Sequence, residues 1–116
     1  MGRIDQLTLE ELKADIAQNL KSNPEPYKSL EAVYEFHVTD ADVTYQLVFK
    51  DGSFTVHDTV VETAGCKLKM KEKYFRKFLI GDLNSTTAFM TGKLKIEGSI
   101  GLGLKLESIL KQYDFS

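Results

Sequence analysis

No stretch of these 116 residues is apolar for anything near the roughly 20 residues that cross a bilayer as a helix. No charged-then-apolar leader opens the chain. Its first six residues miss the myristoylation pattern, because Gln6 stands where Ser or Thr is required. Its last residues do not form a peroxisomal address. Cysteine is nearly absent: Cys66 stands alone, which excludes an internal disulfide and makes a reducing cytoplasm the expected compartment. Proline is confined to Pro24 and Pro26, and there is no internal repeat or low-complexity tract. Histidine is scarce too. His37 and His57 have no further histidine or cysteine at ligand spacing, so no zinc site is expected. There is no G-x-S-x-G elbow, and Cys66 has no activating partner on its own segment, so it reads as an inert buried thiol. Asp40 and Asp42 fall in Thr39-Asp40-Ala41-Asp42, which is ordinary turn chemistry.

What is present is a globular mixture, 42% hydrophobic and 28% charged, sized for a single domain over residues 1–116. The net charge of −2 argues against a nucleic-acid binder. Charge is unevenly placed. Residues 1–66 hold 5 basic and 12 acidic side chains, and residues 67–116 hold 10 and 5. Six of the basic groups fall in "KLKMKEKYFRK": Lys67, Lys69, Lys71, Lys73, Arg76 and Lys77. They suit a solvated strand face that resists edge pairing, or a surface that makes transient contact with an anionic membrane, at about 1 kcal/mol per charge.

Thr8 and Glu11 form a capping box, with Leu7 and Leu12 as its hydrophobic staple. Leu9, Leu12, Ile16 and Leu20 follow at helical spacing until Ser22-Asn23-Pro24. "EAVYEFHV" and "VTYQLVFK" alternate, placing Tyr34, Phe36 and Val38, then Tyr45, Leu47 and Phe49, on single faces. Asp51-Gly52 is a hairpin signal leading to Phe54 and Val56, and Cys66, Leu68 and Met70 alternate with lysines. These segments read as four antiparallel strands. "KEKYFRKFLIGDL" changes to helical period with Tyr74, Phe75, Phe78 and Leu79 on one face and Gly81 at its end. A short helix near Ser85–Thr91, a strand at Lys93–Glu97 and a helix over Ser99–Gln112 complete an α+β pattern.

Gly98, Gly101 and Gly103 spell G-x-x-G-x-G, the reverse order of a dinucleotide fingerprint, and no Gly-Lys-Ser/Thr follows, so a phosphate grip is excluded. On a helical wheel Leu102, Leu106, Ile109, Leu110 and Tyr113 fill an arc of about 100°. Ile100 and Leu104 form a second apolar edge, and Gly103 leaves a notch between the two. Periodicity leaves two occupants open for that notch: a closely packed element, or an apolar ligand.

"AFMTGKLKIEGSIGLGLKLESIL", from Ala88 to Leu110, resembles the C-terminal signature of the sterol carrier protein 2 family. "CKLKM" with "FRKFLIGDLN" is similar to the family's fourth strand and following helix, and "VTYQLVFKDGSFTV" to its central hairpin. The resemblance implies a five-stranded, mostly antiparallel sheet covered by helices and enclosing a hydrophobic tunnel. Family members bind fatty acids, fatty acyl-CoA, sterols or other apolar molecules and are not enzymes in themselves. Carried across by position, Tyr45 faces the cavity and Ile100, Gly103 and Leu104 line the tunnel. Phe75, Phe78, Leu79 and Phe89 match apolar positions of the covering helices, with Phe36 and Leu47 as looser matches. The expected function is non-catalytic lipid binding or transfer, with no cofactor and no metal. The alternative is an accessory module for a lipid- or quinone-metabolising enzyme.

Overall fold

A computed structural model describes residues 6–113; the readings made above for residues 1–5 and 114–116 lie outside them. In chain order the elements are α1 (Leu9–Ser22), β1 (Ala32–Val38), β2 (Val43–Lys50), β3 (Ser53–His57), β4 (Cys66–Met70), α2 (Glu72–Leu79), α3 (Ser85–Met90), β5 (Leu94–Gly98) and α4 (Ile100–Leu110). A single 3₁₀ turn, Glu25–Tyr27, follows α1.

The first helix starts where its sequence says it should. Glu11 donates its amide to the Thr8 hydroxyl at 3.1 Å, and Thr8 donates to the Glu11 carboxylate at 2.9 Å. Two of the amides that a helix start leaves unpaired are satisfied in this way. The Asp51-Gly52 turn has positive φ at both residues, 53° and 78°. That is the twist a two-residue hairpin between β2 and β3 demands.

The sheet order is β3-β2-β1-β4-β5. Every neighbouring pair is antiparallel except β1 with β4, which run parallel with Phe36 opposite Leu68. The expectation of four antiparallel strands is corrected here. Alternation reports which face a side chain takes and carries no information on strand direction. Both β3 and β4 run parallel to β1, so residues 58–65 must cross the sheet from one end of the strands to the other. Gln46, fully buried on the outer face of β2, pins that crossing. Its amide donates to the Glu35 carboxylate and the Glu62 carbonyl, both at 2.9 Å, and accepts from the Val61 and Glu62 amides at 2.9 and 3.1 Å.

The inner face carries Tyr34, Phe36, Val38, Tyr45, Leu47, Phe49, Cys66, Leu68, Met70 and Leu94. These share one core with Leu12, Ile16 and Leu20 of α1, Phe75, Phe78 and Leu79 of α2, and Leu106, Ile109 and Leu110 of α4. Gly98 turns the chain from β5 into α4 at a φ of +85°. A Cβ there would lie 2.5 Å from the Gly65 carbonyl oxygen, so the close approach of the two backbones needs glycine on both counts. Ser99 then caps α4, accepting from the Leu102 amide at 3.1 Å.

Candidate functional site

Beneath α1 the inner face of β1–β3 does not meet the helices completely. A cavity of about 40 Å³ lies between them. Ile16, Ala17 and Leu20 form its roof, Phe36, Tyr45, Leu47, Phe54 and Val56 its floor, and Phe75, Leu79 and Leu110 close it from α2 and α4. The walls are almost wholly apolar. About 10–15 Å³ of such space holds one water, so the cavity has room for a few waters at most. Sites that hold small molecules usually measure about 300–1,000 Å³. Where the resemblance leads one to expect a tunnel, the structure has this small cavity, and its surroundings are aromatic. The Tyr45 and Phe75 rings stack at 5.8 Å and 14°, while Phe36 meets Phe75 at 5.4 Å and Phe78 at 5.7 Å. Such ring pairs add about 0.5–1.5 kcal/mol beyond their buried area and help to hold the walls together.

One end of the cavity is charged. Among the described residues lining it, Lys13 is the only ionic one. Its Nζ lies 4.6 Å from the centre of the Tyr45 ring, 3.1 Å from a Glu10 oxygen and in contact with Asp58 just beyond β3. The Tyr45 hydroxyl donates to Glu10 at 3.3 Å. Burial of the Lys13 ammonium works to lower its pKa. The hydrogen bonds and charges of Asp58 and Glu10 outweigh that and hold it above the ordinary lysine value. Burial, reinforced by the Glu10 carboxylate, pushes the Tyr45 phenol up as well. At neutral pH the mouth therefore presents an ammonium and a protonated phenol, two donors suited to a carboxylate.

The ten residues marked from the sequence separate. Phe36, Tyr45, Leu47, Phe75 and Leu79 come together around the cavity, and Phe78 is buried behind Phe36. Phe89, Ile100 and Leu104 are on the surface, 42%, 47% and 41% exposed, and line no part of it. Gly103 is buried, but the sheet occupies its notch. A Cβ there would meet Cys66 Sγ at 3.5 Å, Leu68 Cδ2 at 3.6 Å and Ile96 Cδ1 at 3.9 Å. Of the two occupants the wheel left open, the packed element is the one found. The α1 residues Lys13, Ile16, Ala17 and Leu20 were missed as lining, as were Gln46, Phe54, Val56 and Leu110. A signal for Lys13 existed: it stands three and four residues before Ile16 and Ala17, on the cavity side of the capped first helix.

Burial raises the pKa of the Cys66 thiol to about 11, partly opposed by a bond to the Gly103 backbone, so the thiol is unreactive at neutral pH. Asp40 accepts the Glu72 amide at 2.7 Å, which is turn and helix-start chemistry. His57 bonds the Thr55 hydroxyl at 3.0 Å. No group of three metal-ligating side chains occurs among the described residues. Within the basic segment Arg76 is turned to structural use, paired with Glu72 at 2.8 Å and donating to the Leu7 carbonyl at 2.6 Å.

Residues 9–111 match the model of the SCP-2 sterol transfer family. Hydroxysteroid dehydrogenase-like protein 2 of Mus musculus is 37% identical over 90 residues, 76% of this chain and 18% of that protein. This chain therefore spans less than a fifth of that relative's length. Two solved structures share the fold. A UbiJ-SCP2 ubiquinone synthesis protein has a TM-score of 0.74 at 16% identity, over 87% of this chain and 90% of its own. The sterol carrier protein-2 of Aedes aegypti, in complex with the C16 fatty acid palmitate, has a TM-score of 0.68 at 20% identity, over 93% of this chain and all of its own.

Proposed function

This chain belongs to the SCP-2 sterol transfer family, a family of lipid-binding domains, and we propose that it binds a single fatty acyl chain reversibly, without catalysis, in the cavity beneath α1. The observation that carries this reading is the apolar cavity with one cation at its mouth. The chain of a fatty acid would separate Ile16, Ala17 and Leu20 from Tyr45, Leu47 and Phe75, and its carboxylate would take the place of Asp58 or Glu10 on Lys13. Each buried CH₂ is favourable by about 0.8 kcal/mol, so a long chain brings enough free energy to part the stacked rings. Selectivity would rest on cavity length and on the headgroup, not on directional contacts along the chain. Palmitate bound to the Aedes aegypti structure supports the reading at the level of the fold.

Titration of the delipidated protein with a fluorescent fatty acid, followed by displacement with palmitate, tests it. Saturable 1:1 binding is expected, with fatty acid released on denaturing mass spectrometry of freshly purified protein. A protein that is empty as purified and also fails to take up the probe contradicts the proposal.

A second reading follows from the other apolar surface. Phe89, Met90, Ile100 and Leu104 are exposed on α3 and α4, and the fold is shared with a ubiquinone synthesis protein. In that reading these side chains meet a lipid- or quinone-metabolising enzyme and the domain serves as its accessory. Leu104→Trp separates the two. It leaves acyl binding in the cavity unchanged in the first reading and abolishes association with the enzyme in the second. Either way, the lysines around β4 and α2 would bring the domain into transient contact with an anionic membrane surface.

A further inference from the structure

We propose that a basic hollow at the ends of β4 and β5, which shares no lining residue with the acyl cavity, binds a polyphosphate anion, meaning several phosphate groups clustered on one small molecule or lipid headgroup. The hollow measures about 350 Å³ and is lined by Lys69, Lys71, Lys93 and Lys95, with Thr39 and Tyr74 as its uncharged polar groups. Among the described residues no acidic one lines it. The grouping differs from the basic run visible in the sequence, because it unites lysines more than twenty residues apart and leaves out Arg76.

The lysines are brought together against a local rule. In the β4–β5 register Lys69 stands directly opposite Lys95, and Lys71 and Lys93 flank the next pair, Met70 and Leu94. Like charges facing each other across two strands destabilise the pairing. One anion offsets part of this, since Glu97 pairs with Lys69 at 2.9 Å. Among the described residues no ion pair engages Lys71, Lys73, Lys93 or Lys95. The nearby Asp40 carboxylate is held by the Glu72 amide. Tyr74 gathers further charge, with Lys73 Nζ 5.1 Å and Lys93 Nζ 5.8 Å from its ring centre. A Cβ on Gly92 would meet nothing within 4 Å, so the hollow stays open above that turn. Four ammoniums around a phenol and a threonine hydroxyl, only Lys69 of them paired among the described residues, are donors in want of a multiply charged acceptor. Clustered phosphates supply it at a density that one carboxylate does not.

This sharpens the anionic-surface contact proposed above, resting on that reading only for the source of the phosphate. Inorganic tripolyphosphate tests the site without a membrane, and vesicles containing phosphatidylinositol 4,5-bisphosphate test the lipid source. Calorimetry and amide NMR at about 0.15 M salt, where screening limits non-specific attraction to about 8 Å, should show saturable 1:1 binding of tripolyphosphate, with shifts at Thr39, Tyr74 and Gly92. The double variant Lys71→Gln/Lys95→Gln should lose at least tenfold in affinity. The charge-matched double variant Lys21→Gln/Lys105→Gln should bind as the parent does, and the melting curve of each variant establishes that it is folded. Vesicle binding displaced by tripolyphosphate identifies a lipid headgroup, and tripolyphosphate binding without vesicle binding identifies a soluble ligand; both support the site. Absence of saturable binding, or equal loss in the two double variants, overturns it. Fatty-acid uptake is measured on the same samples, so failure of the anion site is distinguishable from failure of the acyl cavity.

Discussion

The Lys13 ammonium sits 4.6 Å from the centre of the Tyr45 ring, joining the helix over the cavity to the strand beneath it. Glu10 closes the circuit, since it takes both the lysine and the tyrosine hydroxyl. A cation over an aromatic face contributes about 0.5–2 kcal/mol depending on its desolvation. The contact is thus strong enough to keep α1 seated and weak enough to yield to a ligand that offers Lys13 a carboxylate.

Replacing Lys13 should therefore affect binding more than stability. Lys13→Met keeps an unbranched stem against Tyr45 and removes the charge. A hydrogen bond to a charged group contributes about 1.5–3 kcal/mol, so palmitate affinity should fall about tenfold or more. Affinity for palmitic acid methyl ester, which carries no charge, should stay within twofold. Equal losses for the two ligands, measured by displacement of the fluorescent acid, would show that Lys13 does not meet the headgroup.

Two glycines of the same signature should respond oppositely to alanine. At Gly98 the positive φ and the Gly65 oxygen leave no room, and Gly98→Ala should destabilise by about 3 kcal/mol. At Gly103 an added Cβ finds ordinary contact distances, and replacing a helical glycine favours folding by about 1 kcal/mol. Urea unfolding of the two variants checks both signs. A Gly103→Ala variant as damaged as Gly98→Ala would mean that the notch is needed empty.

Gln46 is the clasp of the parallel crossing. Gln46→Leu keeps the volume and leaves the Val61 and Glu62 amides and the Glu62 carbonyl without their partner. Each group costs about 1–3 kcal/mol if it stays dry and less where water reaches it. A loss of about 2 kcal/mol in chemical unfolding is expected, with faster hydrogen exchange confined to residues 60–64. Unchanged exchange there would show that the crossing is held by other contacts.

Glu107 links α4 to α3, accepting the Ser85 amide at 3.1 Å and pairing with Lys111 at 2.8 Å. Burial acts to raise its pKa, but the bonds from Lys111 and Ser85 prevail and hold it below the ordinary glutamate value of 4.5. A carboxyl depressed in the folded state stabilises the fold above its unfolded pKa, and that contribution is lost as pH falls through the folded one. Glu107→Gln should accordingly be less stable than the parent at pH 7 by about 1–2 kcal/mol, with the gap narrowing below about pH 4.5. A gap that does not change with pH would remove the carboxylate from the account.

The local signals in the sequence translate directly into structure. The Thr8/Glu11 box, the Asp51-Gly52 turn and the alternation of Tyr34, Phe36 and Val38 each act within a few residues, so spacing suffices to read them. Strand direction was hidden, because the crossing from β3 to the parallel β4 is pinned by a buried amide sixteen residues before the backbone it holds. The floor of the cavity, Phe36, Tyr45 and Leu47, was legible from alternation and family resemblance together. Its roof and its cation lie on a helix whose apolar face reads equally well as plain core. The α4 edge was misleading for a physical reason: the helix turns its Gly103 side onto Cys66 and Leu68, which leaves Ile100 and Leu104 facing water.

The most direct test of the acyl site is methyl NMR during titration of the delipidated protein with palmitate. Methyl groups of Ile16, Leu47, Val56 and Leu79 should shift and saturate together at one equivalent, while those of Ile100 and Leu104 stay in place. Shifts confined to Ile100 and Leu104, or no saturating shifts at all, would contradict a site beneath α1.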